Sequence, residues 1–60
     1  MNKSKQKIKL RHAINTYSQQ IKDLQDLMRE TGDGALIWHI RNDILMLRAE
    51  VMKLQKQLID

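Results

Sequence analysis

Residues 28–37 read Met28-Arg29-Glu30-Thr31-Gly32-Asp33-Gly34-Ala35-Leu36-Ile37, and the register of apolar residues on either side of this stretch decides the fold. Upstream, Ile14, Ile21 and Met28 occupy one core position of a heptad repeat, and Leu10, Tyr17 and Leu24 occupy the other. Ala13 and Leu27 flank them. Downstream, Ile37, Ile44, Val51 and Leu58 fill the first position and Ile40, Leu47 and Leu54 the second, with no polar interruption. Carried forward from Met28, the first series arrives at Ala35, whereas the second begins at Ile37. A slip of two is neither the three- nor the four-residue insertion that a continuous coiled coil absorbs. The register therefore argues against one unbroken helix.

The slip falls on stop and start signals. Gly32 is placed to end a helix in the left-handed conformation, and Asp33 to cap the helix that follows. The Asp33 carboxylate also suits the positive end of that second helix, while Lys53 and Lys56 suit its other end. The reading is helix one over 5–31, a turn at Gly32, Asp33 and Gly34, and helix two over 35–59. The arms are of matching length, about 26 residues or ~39 Å at ~1.5 Å per residue. The expected fold class is all-α: an antiparallel two-helix coiled-coil hairpin, a single domain, with residues 1–11 as a basic, partly frayed arm.

Helix two carries a second apolar stripe. Trp38, Leu45, Met52 and Ile59 recur every seven residues, ~100° around the axis from Ile37, Ile44, Val51 and Leu58. One hairpin seam cannot cover both. Arg41, Arg48 and Gln55 lie between the stripes, where arginine stems can flatten over apolar surface with their heads in water. A chain of 60 residues also has too little interior to be secure alone. The expectation is self-association through Trp38, Leu45, Met52 and Ile59, flanked by Arg41 and Arg48. Two hairpins would give a homodimeric four-helix bundle with twofold symmetry; the stripe also fits docking of an unidentified protein. The expected shape resembles the Rop-type plasmid regulators, small hairpins paired into four-helix bundles. No sequence motif carries that likeness further.

Charge is uneven. Lys3, Lys5, Lys7, Lys9 and Arg11 precede the first acid, Asp23, and the remainder is close to balanced, so the net charge of +4 belongs essentially to the first eleven residues. Lysines at a helix start oppose its dipole and favour fraying. A frayed basic arm, with Asn15 and Lys22 on the polar side of helix one, is a candidate for nucleic acid, because neutralising phosphates releases counterions. No interleaved aromatics or nucleic-acid-binding signature accompanies it.

Little else carries chemistry. There is no cysteine or proline, and His12 and His39 are the two histidines. His39 and Asp43, four apart, could meet on one helical face, but two ligands do not make a metal site. Asp23, Asp26 and Glu30 form an acidic patch in which Lys22 and Asp26 have the spacing of an ion pair. Ser4 and Ser18 lie in no nucleophile context, and the one loop is too short to cradle phosphate. The expectation is no enzyme, no cofactor and no small-molecule substrate. No apolar run approaches the ~20 residues of a membrane span, and none follows the N-terminal lysines as a secretory signal requires. A cytoplasmic protein is expected, and the Lys- and Ile-rich usage suits low-GC bacteria and their phages. The functional expectation is a small regulator or adaptor acting by helix-face protein binding. The alternative is a nucleic-acid-binding regulator using the arm and the outer face of helix one.

Overall fold

The computed structural model describes the backbone of residues 2–59 and the side chains of residues 4–59. It contains two helices, α1 (Asn2–Glu30) and α2 (Gly34–Ile59), packed against each other in a rod of 49 × 15 × 11 Å. The chain is an all-α hairpin. α1 is continuous from Asn2, so the basic arm and the first helix form one element. α2 begins at Gly34, which leaves residues 31–33 as the connection.

The turn departs from one expectation. Gly32 does not take the left-handed conformation, and neither glycine has a positive φ. Thr31 does the work assigned to it. Its N–H donates to the Leu27 carbonyl at 3.0 Å, closing the last turn of α1. Its Oγ1 accepts from the Asp33 N–H at 3.2 Å. The chain therefore reverses without a left-handed residue, because a hydroxyl supplies the contact that a glycine cap would have made.

Asp33 then caps α2. Its Oδ1 accepts from the N–H groups of Ala35 at 3.0 Å and Leu36 at 3.3 Å, and its carbonyl accepts from the Ile37 N–H at 3.0 Å. Two donors with no partner inside the helix are thereby satisfied, as an N-cap aspartate does.

The thirteen residues of the heptad seam, from Leu10 to Leu58, are all at least partly shielded from solvent, yet only Ile40 and Ile44 are fully buried, at 3% and 4% exposure. The other eleven are half-buried. Two helices present one line of contact, and solvent reaches it from both sides. The seam is correctly patterned but thin.

Candidate interaction faces

The second stripe of α2 stands in solvent. Trp38 is 64% exposed, Leu45 62%, Met52 69% and Ile59 86%. A helix offers the seam one arc of its circumference, and residues ~100° away fall outside it. The Trp38 indole stands edge-on to the His39 ring, with centroids 6.0 Å apart and planes at 82°. His39 thus meets its aromatic neighbour, and no hydrogen bond joins it to Asp43 among the described residues. Ile8 is also exposed on α1, as are Leu27 and Leu36 beside the turn and Met46 on the back of α2. None of these forms a line of comparable length.

An open groove runs along one side of the hairpin between the seam and this stripe. Gln25 and Met28 of α1 line it together with Arg41, Ile44, Leu45 and Arg48 of α2. Three of its lining side chains are apolar, Met28, Ile44 and Leu45, and two from α2 carry guanidinium groups. Sequence reasoning placed Arg41 and Arg48 between two apolar stripes but missed the groove, because register alone does not say which residues of α1 face them across the gap.

The fold also gathers charge. The antiparallel turn returns Lys53 and Lys56 to the same end of the rod as Lys5, Lys7, Lys9 and Arg11. These six cations are all exposed. Lys3 belongs to the same stretch of sequence, but its side chain lies outside the described residues. Residues 13–52, by contrast, carry four cations, Lys22, Arg29, Arg41 and Arg48, against six acids: Asp23, Asp26, Glu30, Asp33, Asp43 and Glu50. The rod has a basic open end and a turn half with an excess of acid.

Among the described residues the one ion pair is Arg29 Nη2 to Asp26 Oδ1, at 2.9 Å. It replaces the expected Lys22–Asp26 pair: Arg29, three residues on, reaches the same carboxylate with a planar fork. Asp23 accepts from Gln19 Nε2 at 3.0 Å, and Thr16 Oγ1 donates to the His12 carbonyl at 2.9 Å. Asn15 and Lys22, singled out as candidate nucleic-acid contacts, are both exposed on α1.

No group of three potential metal-ligating side chains comes together among the described residues. Nor is any helix among them long and apolar enough to cross a membrane. No protein-family model, curated protein or solved structure matches the chain.

Proposed function

We propose that the chain is a small non-enzymatic regulator or adaptor that self-associates through α2 and acts by helix-face contact with protein. The observation that carries this reading is the contrast within α2: two side chains are fully buried, while four large apolar ones in heptad register are exposed along its length. A folded chain that leaves such a stripe in water lacks its last packing partner.

The occupant is a second copy, in a twofold antiparallel arrangement. Reversed end for end, the stripe falls on itself, with Trp38 opposite Ile59 and Leu45 opposite Met52. Ala49, small and exposed, lies beside the midpoint, where two helices approach most closely. Charge points the same way. Antiparallel copies set the basic open end of one beside the acid-rich turn half of the other, whereas parallel copies set like ends together. Burying the stripe adds a second seam to a hairpin that has one, giving a four-helix bundle. The polar faces of α1 then remain outward as the surface for a target.

Sedimentation equilibrium of the native sequence and of the Leu45→Lys/Met52→Lys variant tests the reading. The native chain is expected to sediment as a dimer or larger, and the variant as a helical monomer. A native monomer at all concentrations contradicts self-association. A variant that still dimerises moves the interface off the stripe.

A further inference from the structure

One broad side of the hairpin is rich in cations, with a single acid, Asp26, at its α1 edge. The groove lined by Gln25, Met28, Arg41, Ile44, Leu45 and Arg48 fixes which sides of the two helices share this face. Successive residues advance ~100°, so positions seven, fourteen and eighteen residues before Gln25 stay on its stripe: Ser18, Arg11 and Lys7. Lys22 lies ~60° away on the same side. From α2 come Arg41 and Arg48, about 10.5 Å apart along the axis at ~1.5 Å per residue. All five cations are exposed, and none of them takes part in the ion pair formed by Arg29 and Asp26.

The other acids lie elsewhere. Asp43 and Glu50 each stand two residues past an arginine, which carries them ~200° round α2 to the far side. Asp23 and Glu30 are on the outward side of α1, ~140–160° from Gln25. Asp26 is nearest, and Arg29 holds it.

We infer that this face, with Arg41, Arg48, Lys22 and Arg11 as its principal contacts, binds the phosphodiester backbone of a nucleic acid. The cations follow one another along the rod instead of converging on a point, which suits an extended polyanion better than a single phosphate. Ser18, Gln25 and Gln55 among them offer hydrogen bonds to phosphate and sugar oxygens. Arginine forks match phosphate geometry. The site draws on only part of the N-terminal arm: Lys7 and Arg11 reach this face, while Lys5 and Lys9 stand ~160° from Gln25. The face adjoins the proposed α2 interface, because Leu45 belongs to both and Arg41 and Arg48 flank the stripe, so oligomeric state is followed beside binding.

Two triple variants with equal charge change provide the test: Lys22→Gln/Arg41→Gln/Arg48→Gln on the groove face, and Lys5→Gln/Lys9→Gln/Lys53→Gln off it. Binding of a labelled 20-nucleotide RNA and a 20-base-pair DNA duplex is followed by fluorescence anisotropy over a salt series. Oligomeric state and helicity are measured for each protein. Each phosphate contact contributes ~0.9 to the salt slope for the duplex and ~0.7 for the single strand, roughly five- to tenfold in affinity near 0.1 M salt, so the groove triple is expected to lose about 100-fold or more and a slope of about 2–3. The off-groove triple should stay within about fivefold of native, and Arg41→Lys/Arg48→Lys, which keeps the charge but not the fork, should lose less than the groove triple. Equal losses from both triples overturn the assignment to this face. Absence of native binding at low salt overturns the ligand class, as does equal affinity for poly-glutamate, which would make the partner an acidic polypeptide.

Discussion

Replacing Gly32 by alanine should stabilise the protein. Glycine at a helix C-terminus ordinarily takes positive φ, and there a Cβ is strained, so substitution costs stability. Here φ at Gly32 is not positive, and a Cβ built on it meets nothing within 4 Å. The folded state therefore accepts alanine without strain, while the unfolded chain loses freedom. Where those two conditions hold, Gly→Ala stabilises by about 0.4–1 kcal/mol. For a domain of about 60 residues, ~1 kcal/mol moves Tm by roughly 4–8 °C, so the expected rise is about 2–8 °C. The assay is thermal unfolding followed by circular dichroism at 222 nm, with protomer concentration fixed because association also shifts Tm. Thr31→Ala serves as the companion, since it removes the hydroxyl that accepts from Asp33. It should lower Tm. A fall in Tm for Gly32→Ala would refute the reasoning and restore the left-handed glycine that the sequence alone suggests.

Further outcomes follow from the same geometry. Ile44→Ala removes a side chain that is 4% exposed and should cost about 2–4 kcal/mol in urea titration, whereas Met46→Ala, at a site 72% exposed, should stay within about 0.5 kcal/mol. Asp33→Ala leaves the Ala35 and Leu36 N–H groups without their acceptor and should cost about 0.5–2 kcal/mol; Asp33→Asn, which keeps an oxygen in place, should recover most of it. Arg29→Gln breaks the exposed pair with Asp26 and should change stability by less than about 1 kcal/mol, with even that difference fading at high salt.

The hairpin was legible because a two-residue break in a heptad pattern has few physical explanations, and Thr-Gly-Asp-Gly at the break supplied the turn. The thirteen seam positions follow from periodicity alone, since a helix keeps every such residue on one side. The Asp33 cap was legible because aspartate before an apolar-periodic run has one common use. The end of α1 was not. Thr31 and Gly32 both suit it, and the choice depends on whether a hydroxyl can reach the next backbone N–H, which register does not determine. The pairing of Asp26 was missed for a similar reason: Lys22 and Arg29 both had acceptable spacing, and side-chain reach selected Arg29. The groove escaped sequence reasoning because it belongs to two helices at once. Arg41 and Arg48 could be placed on α2, but their alignment with the basic side of α1 depends on how the helices are rotated against each other.

Self-association through α2 is tested most directly by sedimentation equilibrium with Trp38 emission recorded on the same samples across a dilution series. A dimer or larger species whose emission is blue at high concentration and shifts red as it dissociates is the expected result, because Trp38 is 64% exposed in the single hairpin. A monomer with red emission at every concentration would contradict the account.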